Sequence, residues 1–596
     1  MTSLELGLIG NCQIAVLVDQ NGRFVWGSLP RIDGDPSFCS LLDGRGDRED
    51  AFGFFEIEMA KLARVEQRYV ENTAILETIL CDHSGGIVRI VDFVPRYQQY
   101  GRSFHPIMVI RQIVPLAGAP VLRIRLRPAA DYGARRPDVT HGSNHIRYNN
   151  GDFTLRLTTN ASITAVLEER AFVVEDPLSL VIGPDETVTQ SPQKLAREMY
   201  GETKAYWEGW TRALSLPFEW QEEVIRAAIT LKLCTFEDTG AVIAGITTSI
   251  PEAANSGRNW DYRYCWLRDA YFVVHALNRL GATRTMEQYL RYIVNLATEG
   301  ADKDLQPVYS ISGDARLPER TVETLAGYRG MGPVRVGNQA YEQKQNDVYG
   351  AVVMAATRLF FDQRYVSRGD LSIFHRLERL GERAAKLFAE PDAGLWEYRG
   401  QQRVHSFSSV MCWAACDRLA RIATHLKEDD RARYWAKHAK RMHAEIDRRA
   451  WSQDLGYFRE SFDREEIDSS ALLFHNLHFV DCADPRFAST VQAVGKALSR
   501  GKHLRRYVFR DDFGKPENAF NICTFWYVDA LAAVGREDEA RGIFEHMLSC
   551  RNSLGLLSED LDPSTDELWG NFPQTYSMVG IINSAMRLSK SWEDAL

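Results

Sequence analysis

Aromatic, arginine and aspartate residues alternate in the segment 258–269, which reads RNWDYRYCWLRD. Four aromatic rings in so polar a stretch are hard to explain by packing alone. Flat sugar faces stack on aromatic rings, and sugar hydroxyls take charge-assisted hydrogen bonds from arginine and aspartate. Trp266, Arg268 and Asp269 are therefore candidate sugar-binding residues. A structural Arg–Asp pair at a helix N-terminus would explain any one of them equally well.

A second segment, 392–400, places Glu397 between Trp396 and Tyr398. Partial removal of this carboxyl from water would raise its pKa, which suits a general acid near neutral pH. The competing interpretation is a surface glutamate paired with Arg399. For this segment taken alone, the competing interpretation is the better one.

A third segment, 555–563, carries a cluster of acidic residues beside a short apolar run. In such a polar setting Glu559 should stay ionised, as a general base must. A solvated acidic loop or a calcium-binding loop is the better explanation of this segment in isolation.

Two further stretches could bind neutral hydroxyl groups. Residues 336–350 combine amides and acids before a helix, and Asn and Gln both donate and accept hydrogen bonds. Arg506 lies in the sequence Arg505-Arg506-Tyr507. Capping and loop structure explain both stretches about equally well.

The elements that must position these segments fall into two parts. Residues 1–193 show short apolar runs separated by turn residues such as Asn21-Gly22, which predicts an antiparallel β-sandwich. Residues 194–215 are predicted to be a helical linker, and residues 216–596 a catalytic domain of about twelve helices. We expect these helices at 222–236, 266–280, 284–298, 347–362, 371–390, 407–426, 430–448, 469–478, 486–500, 518–534, 536–549 and 574–588.

Some of these helices are apolar nearly all round and others carry a strong polar face. This alternation fits the inner and outer rings of an (α/α)6 barrel, although an irregular helical array would show the same periodicity. The segments described above fall in long loops, where binding and catalytic residues usually lie. The predicted loops are 237–265, 299–346, 391–406, 501–517 and 550–573.

Composition excludes several other classes of protein. The chain has 596 residues, a net charge of −9 and 45% hydrophobic residues, which disfavours a disordered chain, a nucleic-acid binder and an anionic-membrane binder. Its ten cysteines form no CxxC pair, which favours buried thiols in a reducing compartment. No signal-peptide pattern and no 18-residue apolar run is seen, so we expect a cytoplasmic protein. Walker A, GxGxxG, HExxH and GxSxG motifs are also missing.

Several motifs, in this order, make the chain resemble glycoside hydrolase family 15, which contains glucoamylases, glucodextranases and bacterial trehalases. The resemblance covers nearly the whole chain. It is carried by residues 6–11, 26–43, 259–269, 327–330, 333–338, 395–400, 523–527, 555–559 and 570–574.

The resemblance implies a β-sandwich joined to an (α/α)6 barrel. It also implies hydrolysis of α-glucosidic bonds from the non-reducing end with inversion, acting on a small α-glucoside and needing no metal or organic cofactor. The general acid then falls on Glu397 and the general base on Glu559. Sugar contacts fall on Trp266, Arg268, Asp269, Trp396 and Arg506. Inversion needs the two carboxyls roughly 6.5–9.5 Å apart, so that a water fits between the base and the sugar.

Three positions depart from the family pattern. Met578 stands where a histidine is usual, Ser409 where a lysine is usual, and Asn518 where a glycine is usual. They leave the leaving-group specificity open among trehalose, isomaltose-type and maltose-type sugars. An inverting phosphorylase and a non-catalytic carbohydrate-binding protein remain alternatives, against which the presence of both glutamates argues.

Overall fold

The computed structural model describes residues 2–46, 48–299 and 304–595. Residues 300–303 of the predicted loop 299–346 lie outside the described residues. No helix among the described residues is both long enough and apolar enough to cross a membrane.

The N-terminal region is rich in β-strands. Its strands are β1 (Leu6–Gly10), β2 (Ala15–Asp19), β3 (Phe24–Ser28), β4 (Pro36–Phe38), β5 (Phe54–Met59), β6 (Leu62–Tyr69), β7 (Leu76–Asp82), β8 (Ile87–Phe93), β9 (Tyr97–Gln99), β10 (Arg102–Phe104), β11 (Val109–Ala117), β12 (Val121–Arg127), β13 (Asp138–His141), β14 (His145–Asn149), β15 (Thr154–Thr159), β16 (Phe172–Val173) and β17 (Leu178–Pro184). The predicted hairpin turn at Asn21-Gly22 joins β2 to β3, and Gly22 supplies the positive φ of 79° that such a turn needs.

Fifteen of these strands form two antiparallel sheets that share one apolar core, and β9 and β10 pair only with each other. The first sheet has the order β1-β2-β3-β5-β12-β16, with β4 paired to β3. The second has the order β13-β14-β15-β17-β11-β8-β7-β6. Ile9 and Phe24 from the first sheet and Val88 and Ile113 from the second belong to the same buried cluster. Alternation of apolar and polar side chains along each strand puts the apolar set between the sheets.

The rest of the chain is mostly helical. The helices of the protein are α1 (Ser40–Asp43), α2 (Ile163–Leu167), α3 (Pro192–Arg212), α4 (Gln221–Leu233), α5 (Leu267–Arg279), α6 (Thr283–Glu299), α7 (Asp347–Phe361), α8 (Leu371–Leu387), α9 (Ser406–His425), α10 (Asp429–Ala450), α11 (Pro485–Leu498), α12 (Asn521–Ala533), α13 (Glu537–Ser549), α14 (Thr575–Leu588) and α15 (Trp592–Ala595), with 3₁₀ segments at Tyr328–Gly330, Gln339–Glu342 and Ser469–Leu473.

Eleven of the twelve predicted helices are present, each with ends within three residues of the prediction. The prediction of a helix over 469–478 was wrong, because only Ser469–Leu473 is helical and it is a 3₁₀ turn. His478 has a φ of 61°, a left-handed conformation that a continuing right-handed helix cannot include.

Contacts between helices run in a closed circle. In this circle α5 contacts α7, α7 contacts α9, α9 contacts the 3₁₀ segment Ser469–Leu473, this segment contacts α12, α12 contacts α14, and α14 contacts α5. Helices α4, α6, α8, α10, α11 and α13 each pack against members of the circle. The first eleven residues of α12 are all buried, which explains why this helix is apolar nearly all round.

Short strands link the loops between these helices. They are β18 (Thr235–Phe236), β19 (Ala241–Val242), β20 (Cys265–Trp266), β21 (Val308–Tyr309), β22 (Arg320–Thr321), β23 (Arg335–Val336), β24 (Trp451–Ser452), β25 (Tyr457–Phe458), β26 (Ser499–Arg500), β27 (His503–Leu504), β28 (Ala519–Phe520), β29 (Asp560–Leu561) and β30 (Leu568–Trp569). The pairing of β28 with β29 and of β29 with β30 ties the start of α12 to the segment that carries Glu559.

Polar contacts join the strand-rich and helical parts. The indole of Trp26 donates to the carbonyl of Ile246 at 2.9 Å. The Asn552 amide donates to the carbonyl of Leu4 at 3.0 Å. All ten cysteines lie within the described residues, none forms a disulfide, and eight are buried.

Candidate active site

A pocket lies where the loops leading into the circle of helices meet. All the residues proposed from the sequence line this one pocket: Trp266, Arg268, Asp269, Trp396, Glu397, Arg506 and Glu559.

Arg268 is the centre of one wall. It lies in the first turn of α5 and is only 4% exposed. Its guanidinium donates to Gln345 Oε1 at 2.7 Å and lies 3.4 Å from Asp347 Oδ2. Asp269 Oδ2 lies 3.5 Å from Arg268 Nε and has no hydrogen-bond partner among the described residues. Burial raises the pKa of Asp269 to about 7. This wall therefore offers a buried carboxyl oxygen without a hydrogen bond to hydroxyl groups in the pocket.

Glu397 is held by the same wall. Its Oε1 accepts hydrogen bonds from Trp266 Nε1 at 2.7 Å and from Gln345 Nε2 at 3.1 Å. Arg268 Nη2 approaches the same oxygen at 3.4 Å. These donors fix Oε1, while the Glu397 side chain stays 26% exposed at the pocket surface.

The backbone at Glu397 is left-handed, with a φ of 59°. Such a conformation at a residue other than glycine costs on the order of 1–3 kcal/mol and is kept only where its surroundings impose it. Here the Glu397 carbonyl accepts from Gln343 Nε2 at 3.1 Å, and its N–H donates to the Gly394 carbonyl at 3.2 Å. The loop therefore turns sharply at this carboxylate and presents it to the pocket.

Glu559 is more deeply buried than Glu397, being 1% exposed. Its Oε1 accepts from the Tyr262 hydroxyl at 2.6 Å, and its Oε2 has no hydrogen-bond partner among the described residues. Gly570 packs so closely that a Cβ on it would lie 2.9 Å from this free oxygen. One oxygen of Glu559 is thus anchored, and the other is buried without a hydrogen bond among the described residues.

A polar, ionised setting for Glu559 was expected from the sequence, and the structure differs. Burial, followed by the negative charge of Glu252, raises the pKa of Glu559 to about 8. Burial and the charge of Glu559 also raise the pKa of Asp560. The physical reason is the burial of the strands β28, β29 and β30 beneath the pocket, which local sequence polarity does not show.

Arg506 balances part of this acidic cluster. Its guanidinium is 8% exposed and is paired with Glu252. Glu252 Oε1 also accepts from Trp260 Nε1 at 3.0 Å. Arg506 therefore lines the pocket as the partner of a buried carboxylate, which sequence reasoning did not identify.

Trp396 forms an aromatic wall beside Glu397. Its indole donates to Asp468 Oδ2 at 2.6 Å, and its ring lies against Phe520 and Trp526 at centroid distances of 5.9 and 6.1 Å. Burial raises the pKa of Asp468 to about 7. The hydrogen bond fixes the orientation of the indole.

The opposite rim of the pocket is closed by a second cluster. The Arg399 guanidinium lies 4.4 Å from the centroid of the Trp260 ring, and Phe513 packs edge-on against Trp260 at 5.0 Å. The backbone N–H groups of Arg399 and Gly400 donate to Asp512 Oδ2 at 2.7 and 3.0 Å. These contacts join the loop after Glu397 to the loop that carries Phe513.

Sequence reasoning missed Glu252 and Asp468, because neither lies in a recognisable pattern. Tyr262, Gln345 and Asp347 lie in the stretches 258–269 and 336–350, which the sequence singled out without giving these residues roles. These residues take part in the site through contacts with residues far away in the sequence, such as the hydrogen bond from Tyr262 to Glu559.

Two of the departures from the family pattern lie away from the pocket lining. The Ser409 hydroxyl donates to the Phe388 carbonyl at 2.6 Å, and Met578 is fully buried in α14. Asn518 donates to the Glu252 carbonyl at 2.8 Å, so it supports a pocket residue from behind.

The chain is similar to several known proteins over nearly its whole length. The chain is 29% identical to a trehalase of Thermoplasma volcanium over 98% of its own length and 93% of that protein. It is 29% identical to a trehalase of Mycolicibacterium smegmatis over 99% of its own length and 92% of that protein. A bacterial glucoamylase solved in complex with acarbose shares the fold, with a TM-score of 0.71 at 14% identity over 98% of this chain and 94% of that chain. The model of the glycosyl hydrolases family 15 matches residues 220–586, and the chain belongs to this family of glycoside hydrolases.

Proposed function

We propose that this protein is an inverting, exo-acting α-glucoside hydrolase, with α,α-trehalose as the first candidate substrate. The observation that carries the proposal is the pair Glu397 and Glu559, which line one pocket with differently bonded oxygens. An inverting glycosidase needs two carboxyls in different environments, one to protonate the leaving oxygen and one to activate water.

In the proposed reaction, Glu397 is the general acid. Its Oε1 is occupied by hydrogen-bond donors, so the proton for the glycosidic oxygen is carried on Oε2. Glu559 is the general base. Its unpartnered Oε2 accepts a proton from the attacking water, while Tyr262 holds Oε1. Water adds to the anomeric carbon as the bond to the leaving oxygen breaks, so the configuration at that carbon inverts.

The terminal glucose is proposed to bind between the Arg268 wall and Trp396. Asp269 and Arg268 would bind its hydroxyls, and the indoles of Trp266 and Trp396 would border its ring. The leaving group would then face Arg506, Trp260 and the rim. A rim closed by the bonds of Arg399 and Gly400 to Asp512 suits a short leaving group rather than a long glucan.

The preference for trehalose draws on the relatives named trehalase and on this closed rim. Isomaltose-type and maltose-type sugars remain in the tested panel.

At the level of the fold, we propose that residues 6–184 form a β-sandwich. The circle of α5, α7, α9, Ser469–Leu473, α12 and α14 would be the inner ring of an (α/α)6 barrel, with the other six helices outside.

The test is hydrolysis of a panel of α-linked glucose disaccharides, followed by ¹H NMR within the first minutes. Inversion of trehalose releases β-glucose from one ring and α-glucose from the other in equal amounts. Retention would release α-glucose alone, which would contradict the assignment of the two carboxylates. No turnover of any panel sugar would contradict the proposed activity, and turnover only in the presence of phosphate would favour a phosphorylase.

A further inference from the structure

A second cluster of reactive side chains lies outside the pocket lining. It contains His503 on β27, His546 and Cys550 at the end of α13, and Asp566 in the turn before β30. One donor atom from each residue lies within 4.8 Å of all the others. His546 and Cys550 are four residues apart, about one helical turn, so their side chains lie on the same side of the helix end.

The contacts within this cluster are close. His503 Nε2 lies 2.9 Å from Asp566 Oδ1 and 3.1 Å from His546 Nε2. His546 Nε2 lies 3.7 Å from Cys550 Sγ and 3.8 Å from Asp566 Oδ1. His503 is 3% exposed, Cys550 is 7% exposed, and the other two are more accessible. An ion would therefore bind at the edge of the protein with an open path to solvent.

The donor atoms of this cluster face one another. His503 Nε2 lies between Asp566 Oδ1 and His546 Nε2, and His546 Nε2 lies between His503 and Cys550. A cation among the four donor atoms would accept one lone pair from each of them.

We propose that His503, His546, Cys550 and Asp566 bind one divalent transition-metal ion, with zinc as the best fit. Zinc bonds of about 2.0–2.1 Å to nitrogen, about 2.0–2.2 Å to oxygen and about 2.3 Å to sulfur in a tetrahedron put neighbouring donors about 3.3–3.7 Å apart. The contacts of His546 with Cys550 and Asp566, at 3.7 and 3.8 Å, lie at or just above the upper end of this range. Those of His503 with Asp566 and His546, at 2.9 and 3.1 Å, lie just below it, so small shifts of the donor atoms would accommodate the ion. Imidazole and thiolate ligands favour zinc over magnesium or calcium. The missing CxxC and HExxH motifs and the family resemblance predict no metal. The four donors proposed here are separated by 43, 4 and 16 residues in the sequence.

The proposed ion would be structural. Glu559 immediately precedes β29, and Gly570 immediately follows β30, so Asp566 belongs to the same hairpin as the proposed base. An ion on Asp566 would tie this hairpin to α13 and to the β26–β27 hairpin. Binding would also deprotonate the Cys550 thiol and release that proton to solvent.

The test is titration of the chelator-treated full-length protein with Co²⁺, followed by absorption spectroscopy. We expect a thiolate-to-cobalt band that saturates at one equivalent and is displaced by one equivalent of Zn²⁺. Cys550→Ser should lose the thiolate band, and His546→Ala should weaken Co²⁺ binding at least tenfold, both with unchanged far-UV circular dichroism. Cys482→Ser, which changes an exposed cysteine elsewhere, is the matched control and should keep the band.

The absence of a saturable cobalt band in the wild type would overturn the proposal. So would a thiolate band that persists in Cys550→Ser or disappears in Cys482→Ser. If Cys550→Ser fails to fold, His546→Ala and Asp566→Asn should each weaken Co²⁺ binding at least tenfold, and wild-type affinity in both would overturn the proposal. Because the readout is metal binding, its failure is distinguishable from a failure of the proposed glucosidase activity.

Discussion

Glu397 and Glu559 differ in what their oxygens contact, and this difference predicts different responses to the leaving group. Glu397→Gln and Glu559→Gln should each lower kcat on the natural glucoside by about 10²–10⁴, the usual contribution of proton transfer. On α-glucosyl fluoride, whose leaving group needs little protonation, Glu397→Gln should recover most of its loss. Glu559→Gln should not, because the attacking water still needs a base. Steady-state kinetics on both substrates measures this.

Glu342→Gln, at an exposed carboxylate outside the pocket lining, is the control and should behave as the wild type. Equal recovery of both variants on the fluoride would show that the two roles are misassigned.

The charge of Glu252 predicts where the acidic limb of the pH profile lies. Burial and Glu252 together raise the pKa of Glu559, so the wild-type base is protonated and inactive as the pH falls below about 8. Glu252→Gln removes a negative charge that disfavours ionised Glu559, so the acidic limb of kcat/KM should move to lower pH. An unchanged or upward-shifted limb would contradict the electrostatic coupling between the two carboxyls.

The buried carboxyl of Asp269 predicts a pH-dependent effect on sugar binding. Charge-assisted hydrogen bonds are worth about 1.5–3 kcal/mol, so Asp269→Asn should lower kcat/KM roughly 10- to 150-fold. Because burial raises the pKa of Asp269 to about 7, the wild type loses this charge at lower pH and the difference should shrink there. Asp454→Asn, at an exposed site, is the control. An equal loss at every pH would show that the charge is not what binds the sugar.

At the scale of elements, the turn after β30 positions Glu559. Gly570 has a φ of 75°, and a Cβ there would lie 2.7 Å from the Cβ of Glu559. Gly570→Ala should displace the base and lower kcat about 10- to 100-fold, with a smaller change in KM.

Gly535→Ala is a matched control for that substitution, because Gly535 has a φ of 81° but no atom within 4 Å of the added Cβ. It carries the same backbone strain without displacing a site residue. Equal kcat losses in the two variants would mean that strain alone, and not the position of Glu559, explains the effect.

At the scale of the whole molecule, a buried ion cluster joins the strand-rich and helical parts. Glu237 is paired with Arg96, which follows β8, and with Lys232 in α4, and each of these side chains is at most 3% exposed. Glu237→Gln would leave two buried cations without their counter-charge. Breaking a buried pair in this way costs about 3–5 kcal/mol.

We therefore expect a clearly lower Tm for Glu237→Gln in differential scanning calorimetry. Glu186→Gln, at an exposed site in the strand-rich part, should leave the Tm unchanged. An unchanged Tm for Glu237→Gln would show that the cluster does not stabilise the junction.

Local patterns in the sequence were sufficient to predict most of the helices and to select residues that line the pocket. Hydrophobic periodicity placed eleven helices correctly, because a helix buries one face every 3.6 residues wherever it packs. The motifs around Trp266, Glu397 and Glu559 selected residues that all line one pocket. Periodicity failed at 469–478, where only Ser469–Leu473 is helical, as a 3₁₀ turn.

Only the tertiary structure decided the environment of each site residue. Glu559 lies in a polar stretch of sequence yet is 1% exposed, because β28, β29 and β30 cover it. Its hydrogen bond comes from Tyr262, 297 residues earlier in the chain, and its pKa responds to Glu252. The cluster of His503, His546, Cys550 and Asp566 likewise forms only when separate elements meet. Residue type and spacing are local properties, whereas burial, charge and coordination depend on which distant segments pack together.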